Sequence, residues 1–395
     1  MYSEDDINSA VAAGALTPEA AAAFRAHMTS VREVPRTDEE NFRLVNSFND
    51  IFVSIAIVIM LVAAGAIGQA LAGVFAPVPG FPGSPNNPLV TAAEADLFQR
   101  ELARSSAMSR LFSGLLIAAT AWPLAEVFTR RRRMALPSIL LLLAFVGGVF
   151  AALFGLGEVL ARNWSDTVGA LIISAAGLIA AAAAWLHWRR FMVPITVAAG
   201  VGALAVTVLS LIVAALEASG VEDPGTVLLW LVFVAGLAIF AFAMRWDISD
   251  RERVTRRSDV AFWLHLLAAP MIAHPIFYSL GILGNSEEVG VDSALAVVAI
   301  YVLFGLVALV IDRRALLVSA LAYVLAALAF LFNRFGAVEL NFALTALVIG
   351  SALLTLSAFW TPLRSRLVAA LPAAWQGRVP PPASAATLTP RAATA

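Results

Sequence analysis

Apolar residues run along this chain in long blocks that lack the two-residue alternation of a strand. Several blocks reach the roughly 20 residues that a helix needs to cross a hydrocarbon core of about 30 Å, and a β-barrel is excluded by the same pattern. The blocks predict an all-α, polytopic bundle of ten transmembrane spans. We place them at Ile51–Ala76, Leu111–Phe128, Leu136–Leu160, Asp166–Trp188, Met192–Leu216, Pro224–Met244, Asp259–Leu283, Ser293–Ile311, Ala315–Phe332 and Leu340–Trp360. The second is short and contains Pro123 and Glu126; without it every later span would change direction.

Polar segments frame the bundle. Residues 1–50 form a preamble that opens MYSEDDINSA, so no cleavable signal peptide is expected. Thr17-Pro18 places a capping hydroxyl before a proline suited to the first helical position, and Gly14 fits the end of a preceding helix. A helical pair over Asp5–Ala13 and Thr17–Met28 follows, and Thr37 to Glu40 reads as a capping box leading toward the first span. Residues 77–110 form the longest interruption inside the bundle. Pro77, Pro79, Gly80, Pro82, Gly83, Pro85 and Pro88 cannot be helical, whereas Thr91-Ala92-Ala93-Glu94 is a capping box whose helix can continue through Phe98 and Leu102 into span two. Such a helix exceeds the bilayer and must project from it or bend, as a cap over an outer cavity or as a connector. Residues 361–395 begin as an interfacial helix, TPLRSRLVAALPAAW, with Arg364 and Arg366 at headgroup level; from Gln376 the Pro, Ala and Thr content predicts disorder.

Arginine placement orients the bundle. With both ends inside, the inner loops hold Arg130–Arg133, Arg189–Arg190, Arg245, Arg251, Arg253, Arg256–Arg257 and Arg313–Arg314, thirteen against five on the outside (Arg100, Arg104, Arg110, Arg162 and Arg334). This is the positive-inside asymmetry of a bacterial inner membrane protein. The outer turns Glu217–Pro224 and Asn285–Asp292 contain acids and no base.

Composition narrows the function. At 61% hydrophobic and 13% charged, the chain has the lipid bilayer as its main partner. All 26 basic residues are arginine, a bias that fits a GC-rich bacterial genome. The absence of cysteine removes disulfides, thiolate metal sites and cysteine nucleophiles, and a net charge of -1 gives nucleic acid no footing. H-E-x-x-H, G-x-S-x-G, G-x-x-x-x-G-K-[ST] and a dinucleotide-type G-x-G-x-x-G are all missing, so no enzyme activity, cofactor or metal is expected.

The inner loops at Arg133, Arg190, Arg257 and Arg314 are spaced 57, 67 and 57 residues apart, and RRRMALPSILLLLAF, RRFMVPITVAAGVGAL and RRALLVSALAYVLAAL look alike. A duplicated hairpin would produce this spacing, and so would the length that any two spans and a turn require. Gly147, Gly148, Gly155 and Gly157 in span three and Ala180–Ala184 in span four permit close helix approach and predict a central place for both.

Candidate chemistry concentrates in the seventh span, DVAFWLHLLAAPMIAHPIFYSL. Pro270 and Pro275 should kink or break it and free carbonyls near Leu266 and Met271. His274, with Tyr278 beyond it, sits about two-thirds of the way across, and His265, nine positions earlier, falls on the opposite face, where the pair cannot share a metal. Each imidazole either caps a carbonyl freed by proline or belongs to a proton or solute pathway. Glu158 either faces an outer vestibule or pairs with Arg162; Glu126 and Asp312 suit interfacial ion pairs, and His187 suits the headgroup level.

The stretch DINSAVAAGALTPEAAAAF followed by a charged helix and many spans resembles a bacterial family of predicted multi-pass membrane proteins of unknown function, in which a short unit of the form xxGxLTPExA precedes eight or more spans. The resemblance implies a multi-pass protein and carries over no site residues. Two functions remain open: a secondary carrier or channel for a small solute, and a non-transporting scaffold, sensor or assembly protein that acts through protein partners.

Overall fold

The computed structural model describes residues 4–33, 48–80, 91–161, 164–221, 224–251, 253, 255–281, 291–334 and 341–381. The predicted capping box at 37–40, most of the proline run and the turn at 285–290 lie outside them. Every regular element among the described residues is helical.

Helices α1 (Glu4–Ala12) and α2 (Pro18–Glu33) are the predicted pair. Gly14, at φ +72°, turns the chain between them, and Thr17 Oγ1 accepts from the Ala20 N–H at 3.1 Å. Helix α3 (Phe48–Phe75) is followed by α4 (Ala92–Ala125), whose capping box forms as expected: Thr91 N–H donates to Glu94 Oε2 at 2.9 Å, and Glu94 N–H donates to Thr91 Oγ1 at 3.3 Å. A π-helical turn over Glu126–Arg131 prolongs α4, giving 40 continuous residues. At 1.5 Å per residue that is about 60 Å, roughly twice a hydrocarbon core. Pro123 lies inside α4 and does not end it.

Then follow α5 (Ala135–Leu160), α6 (Asp166–Phe191), α7 (Ile195–Ala218), α8 (Pro224–Ser249), α9 (Arg256–Ser279), α10 (Val291–Ile311), α11 (Ala315–Arg334) and α12 (Asn341–Ala358). After a 68° bend come α13 (Trp360–Ala369) and α14 (Ala373–Gln376). Among the described residues eight helices, α3 to α10, are long and apolar enough to cross a membrane, and the bent pair α12 and α13 together would make nine. Their outer faces carry Phe52, Ile59, Val62 and Leu354 at 63–74% exposure, an apolar surface suited to lipid.

Two groups of helices form the bundle. In the first, α4 packs on α3 and α5, and α6 on α7. Small residues set the spacing: a Cβ added to Gly114 would lie 2.5 Å from the Ala152 nitrogen and 2.6 Å from the Gly148 oxygen. Ser174 and Thr207 hydrogen-bond across α6 and α7, where Ser174 Oγ donates to Thr207 O at 3.2 Å. The second group joins α8, α9, α10 and α11, and α7 connects the groups by packing on α8 and α9. Spans three and four were expected at the centre, but α9 is more enclosed: 56% of its most apolar stretch is buried, against 44% for α6 and 33% for α5. Its Val260, Leu264 and Phe277 pack with Val297 of α10 and Val324 of α11 in the largest core.

The four turns at the arginine-rich end, between α4 and α5, α6 and α7, α8 and α9, and α10 and α11, each place one non-glycine residue in the left-handed region: Arg133, Met192, Arg253 and Asp312, at φ 54–58°. The next helix starts two or three residues later in every case. At the opposite end the positive-φ positions are glycines, Gly220 and Gly281.

Candidate functional site

Helix α9 runs unbroken through Pro270 and Pro275, so the predicted break is absent. Both histidines have side-chain partners in place of freed carbonyls. They do face opposite ways, as their spacing requires: His265 is 1% exposed and His274 is exposed.

His265 belongs to a buried ion network. Its Nε2 lies 2.9 Å from Asp247 Oδ2, two residues before the end of α8. Arg313, in the turn between α10 and α11, donates from Nη2 to Asp247 Oδ1 at 2.6 Å and to the Ser258 carbonyl at 3.0 Å. Asp247 and Arg313 are 1% and 2% exposed. One carboxylate therefore joins the ends of α8, α9 and α10. His265 Nδ1 is buried with no partner among the described residues.

A second carboxylate, Asp312, stands next in sequence to Arg313. Asp312 Oδ2 accepts from Arg253 Nη1 at 2.9 Å, and its Oδ1 accepts from the Trp360 indole N–H at 2.7 Å and faces Arg364 Nε at 3.6 Å. Asp312 was expected in an ion pair at an exposed interface, and Arg364 at headgroup level; the pairing occurs, but Asp312 is 5% and Arg364 2% exposed. Arg364 also donates to the carbonyls of Pro380 and Pro381, and Arg251 to those of Gln376 and Val379. Residues 376–381, predicted disordered, are thus held against this end of the bundle. Residues 382–395 lie outside the described chain.

His274 forms a separate site. Its Nδ1 lies 2.7 Å from the Tyr323 hydroxyl on α11, and Tyr278, one turn on, has its ring 6.0 Å away and is 52% exposed. Tyr323 stacks on Phe277 with ring centroids 4.5 Å apart, which orients its hydroxyl.

Glu158 pairs with Arg110 of α4, accepting two hydrogen bonds of 2.7 Å, while Arg162 lies outside the described residues. It therefore ties α5 to the outer part of α4. Glu126 accepts from Arg190 at 2.6 and 3.1 Å and from Arg130 at 3.3 Å, the arginine pairing expected of it. His187 is not at a surface: it is fully buried, touches Thr196 at 3.4 Å and is surrounded by Trp122, Phe145 and Phe191.

Asp247, Arg313 and Tyr323 were not singled out from sequence. Arg313 was counted only among the inner-loop arginines, and Asp247 drew no reading; Tyr323, a hydroxyl in the middle of an apolar block, was a signal that was passed over. Among the described residues no group of three or more His, Asp or Glu is placed to hold a metal ion. Comparison with family models, with curated proteins and with solved structures finds no match to this chain.

Proposed function

We propose that this chain is a multi-pass protein of the bacterial inner membrane, with ten spans and both ends cytoplasmic, and that it is a secondary carrier or channel for a small solute. The orientation rests on the thirteen-to-five arginine asymmetry; the ten-span count adds α11 and the α12–α13 pair to the eight long apolar helices.

The observation that carries the functional reading is the His274–Tyr323 pair. The ion network sits at the ends of α8 and α10 and meets α9 at Ser258 and His265. His274 lies nine residues beyond His265, about 13 Å at 1.5 Å per residue. That places it inside a hydrocarbon core of about 30 Å. An exposed imidazole bonded to a half-buried phenol at that depth is costly against lipid, so its open face meets water, a solute or another polar surface. A solute path uses it directly: imidazole and hydroxyl can exchange donor and acceptor roles as a proton or polar solute passes.

The second reading, a scaffold working through partners, has one observation in its favour: the segment after α14 is held by Arg251 and Arg364, so the tail leaves the bundle from a fixed point. A thermal-shift screen of the detergent-purified protein against metabolites and ions, at pH values on either side of the histidine range near 6.5, separates the two. The carrier reading expects a saturable, pH-dependent stabilisation that disappears in His274→Ala and in Tyr323→Phe. Stabilisation that survives both substitutions, or its absence across the panel together with stable co-purification of a second protein, overturns it.

A further inference from the structure

A cavity of about 410 Å³ opens at the arginine-rich end, where the first group of helices meets α9. Its charge comes from three segments: Arg130 in the π-helical turn, Arg133 in the turn before α5, and Arg256 at the start of α9. Arg133 and Arg256 make no ion pair among the described residues, and Arg130 has only the longer share of a carboxylate that Arg190 holds more closely. Asp259 is the one acid on the wall, which leaves two net positive charges.

Backbone polarity adds to the charge. The first turns of α5 and α9 and the residues just before α7 reach the cavity, and α5 has no side-chain cap at its start. Uncapped helix N-termini present N–H groups and the positive end of the helix dipole, a ready site for an anion. A further observation is independent of helix ends: Thr129 lines the cavity, is 8% exposed, and its Oγ1 has no partner among the described residues. A buried hydroxyl without a partner is costly unless something in the cavity completes it. Phe191 and Trp263 supply an apolar part of the lining.

We infer that this cavity is a binding site for a phosphoryl anion bearing an organic group, with the phosphoryl oxygens on Arg133, Arg256 and Thr129 and the remainder of the molecule against Phe191 and Trp263. Guanidinium groups suit phosphoryl oxygens because their N–H groups donate in pairs. Anionic lipid headgroups and soluble phosphates share this chemistry, and basic pockets between spans on the cytoplasmic side are where headgroups bind. The inference does not depend on transport.

The test uses the full chain in a neutral detergent and two probes: inorganic phosphate, and short-chain phosphatidylglycerol with phosphatidylcholine as its neutral control. Binding is followed by titration calorimetry and by thermal stabilisation. Saturable binding of either anionic probe is expected, weakened roughly tenfold in Arg133→Gln and again in Arg256→Gln, and a few-fold in Thr129→Val. Arg366→Gln, outside the cavity, should leave it unchanged. Both arginines are exposed, so their loss should not unfold the chain. Displacement of the lipid by phosphate identifies a soluble-phosphate site; lipid binding that phosphate does not displace identifies a headgroup site. Either probe binding with the same affinity in the double arginine variant, or neither binding the parent, overturns the assignment.

Discussion

Removing one partner of the Asp247–Arg313 pair should cost far more than removing both. The two side chains are 1% and 2% exposed, and the 2.6 Å bond between them is supplemented by His265 on the carboxylate and the Ser258 carbonyl on the guanidinium. In Asp247→Leu the guanidinium keeps its charge and loses its only counter-ion in the pair; in Arg313→Met the carboxylate is left with an imidazole. Breaking a buried pair in this way costs about 3–5 kcal/mol, because the remaining charge stays desolvated and unpaired. The double variant removes both charges and leaves apolar side chains of similar bulk, a change often close to neutral. A coupling of at least about 3 kcal/mol is therefore expected in the double-mutant cycle. Unfolding in mixed micelles, followed by tryptophan fluorescence, provides the measurement, since Trp246 adjoins Asp247 in α8 and Trp360 bonds to Asp312 in the turn that holds Arg313. Single variants that each lose less than about 1 kcal/mol, or a double variant equal to their sum, would refute the view that these charges hold one another in place.

Two further predictions concern the backbone. Gly114→Ala should lower the melting temperature, at a cost of about 1–3 kcal/mol, because its Cβ would meet the α5 backbone, whereas Gly73→Ala, with nothing within 4 Å of its added Cβ, should be neutral or slightly stabilising; equal effects at the two sites would contradict the close α4–α5 contact. Met192→Gly should raise stability by about 0.5 kcal/mol, the relief of a left-handed φ of 55° less the entropy of the added glycine, and a fall in melting temperature would show that Met192 contributes packing that outweighs its strain.

The helices were legible because lipid imposes a local rule. A segment must be apolar over a fixed length and satisfy its own backbone, and both properties can be read from consecutive residues. The capping box at Thr91 and the glycine turn at Gly14 were legible for the same reason, since each is complete within four residues or fewer. A break at Pro270 and Pro275 does not follow from that local rule: a proline removes one donor and crowds one turn, but α9 stays helical through both, with neighbours packed along it.

The site chemistry was less legible because its pairings are not local. Asp247 meets His265 across 18 residues and Arg313 across 66, and His274 meets Tyr323 across 49. A charge next to an arginine cluster reads as interfacial when the helix that carries it is considered alone. Here Arg253 and Ser258, on either side of the start of α9, bond to Asp312 and Arg313 just after α10, so the polar ends of α8, α9 and α10 converge and bury one another's charges. Asp247 and Arg313 become buried partners there, and His265, which lies against Asp247, becomes part of the same network. Hydrophobic periodicity cannot show this convergence, because sliding or rotating one apolar helix against another leaves every apolar block unchanged. The polar residues that would reveal the packing are the ones whose partners lie in other helices, and the same holds for His274, whose partner Tyr323 lies on α11.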